Sequence, residues 1–174
     1  MSVANNFLES ALKELHAYKV LGDKTFTQLE EAEMHFQPNE VVNSIAINIQ
    51  HLHGNMLSRW TNFLKEDGEK PWRQRDAEFE ISNLTKQELT TLWNDGWNVV
   101  FVALEPLKKK DMKKTIYIRS RPLTVVEAIN RQLSHYSYHV GQIVMLGKWI
   151  RGNQWKTLSI AKAKSHEFNK NMMK

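Results

Sequence analysis

The residues in this chain best suited to chemistry are its histidines. His135 and His139 stand four apart in Leu133-Ser-His-Tyr-Ser-Tyr-His-Val-Gly-Gln-Ile143. A helix advances about 100° per residue, so this spacing stacks two imidazoles on one face, with ring nitrogens able to meet one metal ion. The pattern is short, and two solvent-facing or core-edge histidines would satisfy it equally. A second source is Ile49-Gln-His-Leu-His-Gly-Asn-Met56, where His51 and His53 are two apart. Their side chains diverge by about 200°, so at most one of them faces the protein centre. His51 shares its face with Asn48 and Asn55, whereas His53 lies nearer Ile49, Met56 and Trp60; periodicity alone does not choose. A third imidazole beside His135 and His139 would complete a three-histidine site. Such a site keeps coordination positions open to water or substrate, as catalytic zinc sites do. A buried histidine satisfied by a carbonyl or by Asn55 is the alternative. His16, His35 and His166 have no partner pattern and read as surface residues.

Other chemistries are largely excluded. The chain has no cysteine, which rules out disulfides, Cys-ligated zinc, iron–sulfur clusters and a cysteine nucleophile. Its seven glycines form neither a dinucleotide fingerprint nor a P-loop, and no G-x-S-x-G elbow occurs. The acidic residues are scattered, with no glycosidase-like pair. Arg59, Arg73 and Arg75 could bind an anionic group at a pocket mouth, surface ion pairs being the alternative for each. Lys and Arg number 24 against 19 Asp and Glu, a net charge of +5. That excess gathers at Lys108–Lys114 and Lys162–Lys174, in a loop and a tail, so no nucleic-acid partner is expected. The longest apolar run, Val99–Leu104, falls well short of the roughly 20 residues of a membrane span. Met1–Ser10 lacks a signal peptide's pattern. A cytoplasmic protein with no membrane partner is the expectation.

The elements that must position the histidines follow from the apolar period. The 174 residues suit one domain with a real core. A first helix is expected over Val3–Met34, with Phe7, Leu8, Ala11, Leu12 and Leu15 on its stripe and Gly22 as a weak point. Pro38 breaks the pattern, and Asn39 is the expected N-cap of a second helix reaching Leu64, with Ile45, Ile49, Leu52, Met56, Trp60 and Phe63 buried. Lys65–Leu84 reads as a charged loop that must be packed down or functional, because structureless loops of that length are uncommon. The capping box Thr85-x-x-Glu88 opens a third helix to Leu107, and Thr124-x-x-Glu127 opens a fourth to about Arg151. Thr115–Arg119 is β-branched and aromatic but too short to found a sheet. The chain after Gly152 reads as a loosely held tail, 160–174 above all. Trp60, Trp93 and Trp97 are expected in the core. The sum is an all-α protein, a four-helix bundle with short non-helical loops between helices two and three and between three and four.

Asn43-Ser-Ile-Ala-Ile-Asn-Ile-Gln-His-Leu-His-Gly-Asn-Met-Leu-Ser-Arg-Trp60 is similar to the second helix of DinB-like proteins. Asp67-Gly-Glu-Lys-Pro-Trp-Arg-Gln-Arg-Asp-Ala-Glu-Phe79 resembles the loop motif of one subfamily, with uncharacterised members mostly from Gram-positive bacteria. His135-Tyr-Ser-Tyr-His-Val-Gly-Gln-Ile143 resembles the H-x-x-x-H-V-x-Q-I of the wider superfamily, and the stretch from Trp155 to Phe168 is also similar. The resemblance implies a four-helix bundle, often a homodimer, with one divalent metal held by three histidines. Carried over, the ligands are His51, His135 and His139, and His53 occupies a variable position. The superfamily includes bacillithiol- and mycothiol-dependent transferases and a thiol-dependent maleylpyruvate isomerase.

The resulting expectation is a metal-dependent enzyme, a transferase acting with a low-molecular-weight thiol on an electrophilic small-molecule substrate. Three neutral imidazoles leave an ion, zinc or nickel foremost, its full double charge, which favours thiolate or hydroxide over the neutral form. Asn55 and Arg59, one and two turns beyond His51, are candidates for orienting the substrate. A metal-dependent hydrolase is the nearest rival. A non-enzymatic metal- or ligand-binding stress protein is the third reading.

Overall fold

The structure, a computed structural model, describes residues 2–173. Four long helices dominate: α1 (Val3–Phe26), α3 (Ile45–Trp60), α4 (Lys86–Leu104) and α5 (Val125–Arg151). Two short ones, α2 (Glu31–Met34) and α6 (Ser165–Met172), and an antiparallel hairpin of β1 (Thr115–Ile118) and β2 (Arg121–Thr124) complete the set. α3 packs against α4 and α5, while α1 packs against α5 and α4. Both capping boxes form: Thr85 and Thr124 each accept from the backbone N–H three residues on, and Glu88 and Glu127 reach back. Caps of this kind are worth about 1 kcal/mol each, and here they fix where α4 and α5 begin.

The first expected helix stops at Phe26 rather than Met34. Thr25 and Thr27 turn their hydroxyls onto the carbonyls of Leu21 and Lys24, the local bonding that competes with helix continuation. Glu33 then accepts from the Glu30 N–H at 2.7 Å, opening α2 as a separate turn. Gly22 is not a weak point. A Cβ there would overlap the Trp93 indole, so glycine serves close packing of α1 on α4. Asn39 does not cap the second long helix. Ser44 does, accepting from Ile47 N–H at 3.1 Å, while Asn39 caps the turn at Val41 and Val42.

Thr115–Ile118 does found a small sheet, contrary to expectation. Its partner, Arg121–Thr124, contains Pro122, which argues against a strand except at an edge. Arg119 and Ser120 form the two-residue turn, with φ of 55° and 59°, the left-handed pair of a type I′ hairpin. Ile116 and Ile118 are buried beneath it. The chain just beyond Gly152 is also better held than a loose tail: the Gln28 amide donates to Lys156 O at 3.1 Å and accepts from Lys156 N–H at 2.7 Å. α6, farther on, buries nothing.

The core joins Leu15, Leu29, Ile49, Leu52, Met56 and Ile143 to Trp60, Trp93, Trp97 and Tyr136. Trp93 and Trp97 meet edge to face, a favourable use of two aromatic rings. Among the described residues, no helix is long and apolar enough to cross a membrane.

Candidate metal centre

α3 carries two buried stripes. Ile45, Ile49, Leu52, Met56 and Trp60 form one; Asn48, His51, Asn55 and Arg59 form the other, and the second meets α5 and the loop after Lys65. α5 presents His135 and His139 one turn apart toward His51. The three imidazoles each offer a ring nitrogen within 4.8 Å of the other two. His51 Nε2 and His135 Nε2 stand 3.3 Å apart. Two nitrogens at zinc-ligand distance from one ion, set at a tetrahedral angle, stand about 3.3 Å apart. His53 is outside the cluster, with its backbone beside Gly96 of α4, so the structure separates the two histidines that periodicity left open.

Hydrogen bonds on the far side of two rings fix which nitrogens carry protons. His51 Nδ1 lies 2.9 Å from Glu78 Oε2. Burial raises the Glu78 carboxyl, but the Arg73 guanidinium and the His51 N–H more than offset it, holding it below its ordinary value. An ionised carboxylate can only accept, so His51 Nδ1 is the donor. His139 Nδ1 lies 2.8 Å from Asn48 Oδ1. The Asn48 amide N–H2 is already committed to Ser44 O at 2.9 Å, so here too Nδ1 donates. With Nδ1 as the donor, a neutral ring at either position carries its lone pair at Nε2. His139 Nε2 is buried and has no hydrogen-bond partner among the described residues.

The protonation state suits ligation. Burial, then the neighbouring His139 and His51, lowers His135 to about 3. Burial, then His51, lowers His139 to about 4. Both rings are therefore neutral at pH 7, the form that binds metal. Carboxylate and amide groups behind metal-binding imidazoles are the usual means of setting the tautomer and ring orientation. The donor set and its supports therefore fit a divalent ion of the borderline class.

The loop expected to be packed down or functional is packed down, and its halves hold different neighbours. Asp67 accepts from the N–H groups of Glu69, Arg119 and Ser120 at 2.7, 2.8 and 2.7 Å, binding the loop to the hairpin turn. Arg59 donates to Ser58 Oγ and Gly68 O and pairs with Glu69 at 3.1 Å. Farther along, Arg73 grips Glu78 with two parallel bonds of 2.7 and 2.8 Å, and Glu78 holds His51. Gly54 makes room for this, since a Cβ there would overlap the Glu78 carboxylate. Phe79 covers His51 with ring centroids 4.7 Å apart.

Sequence reasoning missed Glu78 altogether, and for Arg73 it weighed an anion site at the pocket mouth against a surface ion pair; the ion pair is there, but buried, with Glu78. The signal available was the Arg-x-x-x-x-Glu spacing inside a loop too long to be idle. Asn55 accepts from the Tyr136 hydroxyl at 3.3 Å, which in turn accepts from Trp60 Nε1 at 2.9 Å. The three imidazoles, Asn55, Tyr138 and Gln142 share a pocket of about 390 Å³ that opens to solvent. His16 and His166 are exposed, and His35 bonds Leu84 O at 2.8 Å, all away from the cluster.

Fold and site together define a helical protein with three imidazoles gathered in one open pocket. The chain belongs to the DUF1572 family, described as a protein of unknown function, which matches residues 2–164. DUF1572 is a DinB-like family. No curated protein and no solved structure shows a significant match to the chain.

Proposed function

We propose that this protein is a DinB-like four-helix bundle that holds one divalent metal ion, zinc or nickel, through His51, His135 and His139, and transfers a low-molecular-weight thiol to an electrophilic small molecule. The observation that carries the reading is the gathering of a ring nitrogen from each of His51, His135 and His139 within 4.8 Å of one another, with His51 Nε2 and His135 Nε2 3.3 Å apart and His139 Nε2 buried and unpartnered. An ion there would supply positive charge that favours the thiolate form of a bound thiol. The chain's own residues do the rest. Glu78 and Asn48 hold two rings in the ligating tautomer, and Arg73 keeps Glu78 ionised. Asn55, fixed by Tyr136, stands at the pocket wall to orient a polar substrate group. Arg59 lines the pocket too, but its bonds to Gly68 O and Glu69 make it first a brace for the loop.

The test begins with elemental analysis of tag-free protein: one metal per chain for wild type and His53→Ala, and none for His51→Ala, His135→Ala or His139→Ala. Wild type that takes up neither zinc nor nickel would refute the metal reading. Thiol-transfer assays against a panel of alkylating electrophiles follow. Turnover that proceeds without added thiol would move the assignment to hydrolysis by the same site.

A further inference from the structure

Five arginines line the same pocket as the imidazoles, and they divide into two groups. Arg59 and Arg73 lie low in it, each with a carboxylate of its own: Glu69 at 3.1 Å and Glu78 at 2.7 Å. Arg75, Arg119 and Arg131 stand exposed at the rim, and they come from three separate elements: the loop, the hairpin turn and α5. Arg119 has to share Glu69 with Arg59. Arg75 has only its neighbour Asp76, a fully exposed group at 3.5 Å. Among the described residues, no carboxylate pairs with Arg131. Five guanidinium groups are thus matched by two shielded carboxylates, in a chain whose whole net charge is +5.

Scattered surface arginines would need no explanation. Three that converge on one opening from separate elements, above the imidazole cluster, make a local positive field with its own forks for oxyanions. We propose that the rim of Arg75, Arg119 and Arg131 binds a small ligand carrying two or more oxyanion groups, carboxylate or phosphate, while the ligand's uncharged end reaches down to the imidazole cluster. Where that end goes rests on the metal-dependent reading; the anion subsite stands on the arginines alone. The pocket, about 390 Å³, is at the lower end of the range for small-molecule sites, which favours a compact polyanion over a nucleotide-sized one. Arg75 also lies 5.0 Å above the Phe79 ring, which limits its motion and aims it over the pocket.

The experiment is a titration by calorimetry and NMR with succinate, with inorganic phosphate and with neutral succinamide, on zinc-loaded and on chelated protein. Saturable binding of one molecule of succinate or phosphate is expected, weakened by salt, with succinamide inert. Which of the two binds more tightly decides between carboxylate and phosphate. Arg75→Gln and Arg131→Gln should each weaken it tenfold or more, Arg131→Lys less, and Arg121→Gln, outside the pocket, not at all. Circular dichroism confirms that each variant is folded. Absence of saturable binding by either anion, or binding indifferent to Arg75→Gln and Arg131→Gln, overturns the proposal. Arginine-dependent binding by a protein that takes no metal would sustain the rim and sink the metal centre. One zinc per chain without anion binding would do the reverse.

Discussion

Along α3, Ile45, Ile49, Leu52, Met56 and Trp60 recur with the helical period on one side, and Asn48, His51, Asn55 and Arg59 recur with the same period on another. Both stripes are buried, the second almost as deeply as the first, with His51 at 5% and Arg59 at 5% exposure against 0% for Leu52. What differs is what each demands. Apolar side chains are stabilised by any well-packed neighbour, and the indoles of α4 supply it. Buried polar groups need a partner of the right kind at the right distance, and an unmet need costs about 1–3 kcal/mol. Ser44, the N-cap of α3, and Glu78, Tyr136, Gly68 and Glu69, from elsewhere in the chain, meet those needs. One stripe is built for stability. The other gives up stability to keep ring nitrogens dry and aimed.

The largest effect that separates the two stripes should come from Trp97→Ala. Trp97 is fully buried between Trp93, Phe101 and Tyr136, and removing a core indole costs about 3–5 kcal/mol. Urea denaturation of chelated protein should show this loss, while metal content per folded chain stays unchanged. Loss of metal by folded Trp97→Ala would mean that the stripes are not separable.

Next in size is the converse. His139→Ala should empty the site and lower the stability of the chelated protein by about 1–3 kcal/mol, less than Trp97→Ala does, because it leaves the buried Asn48 Oδ1 without its donor. Wild type at a zinc concentration one hundredfold above its Kd should be stabilised by about 2.7 kcal/mol over its chelated form. Thermal melts with and without chelator measure this, and His139→Ala should melt at one temperature in both. A chelator-sensitive melt for His139→Ala would place the ion elsewhere.

A smaller effect is expected behind the ligands. Glu78→Gln keeps an acceptor for His51 but loses the charge that Arg73 grips, and losing such a support lowers metal affinity about 10–100-fold. Gly54→Ala should act in the same direction by displacing the Glu78 carboxylate. Competition with a chromogenic chelator measures both. Affinities equal to wild type would reduce Arg73–Glu78 to a structural ion pair.

These supports also show why the sequence was more legible in some places than in others. The apolar stripe, both capping boxes and the three core tryptophans follow from local rules, and all are present. So does the i, i+4 pairing of His135 with His139. Errors arose where a local rule met a tertiary partner. Gly22 looked like a weak point but accommodates Trp93, and Thr115–Arg119 looked too short for a sheet but pairs with a single neighbouring strand. The choice of His51 over His53 was closed to periodicity, because the two positions differ in partner more than in pattern. Glu78 lies 27 residues from the ring it orients, and the Arg73-x-x-x-x-Glu78 spacing hints at their pairing without pointing to His51.

The gentlest distinction between the stripes is in the response to acid. Burial first, and then neighbouring histidines, hold His135 at about 3 and His139 at about 4, against 6.5 for the ordinary group. Below pH 6.5 the unfolded chain therefore takes up protons that the folded chain refuses. The stability these rings preserve is complete above that value and lost as pH falls toward 4, with a slope of at most about 1.4 kcal/mol per pH unit for each. Between pH 7 and 6 the pair should account for a fall of about 1.4 kcal/mol. Carboxylates such as Glu78, held below their ordinary value, lose their contribution only at lower pH, so the upper part of this window belongs to histidine. Burial lowers His53 as well, and its share is common to every variant. Chelated Trp97→Ala should therefore run parallel to wild type at lower stability, since no proton site has been touched. Chelated His139→Ala should start somewhat below wild type at pH 7, for want of the Asn48 bond, and fall less steeply from 6.5 to 5, because one reluctant base is gone. Equal slopes for wild type and His139→Ala would mean that the ring is not held neutral by its surroundings, and the polar stripe would lose its claim to be a prepared set of lone pairs.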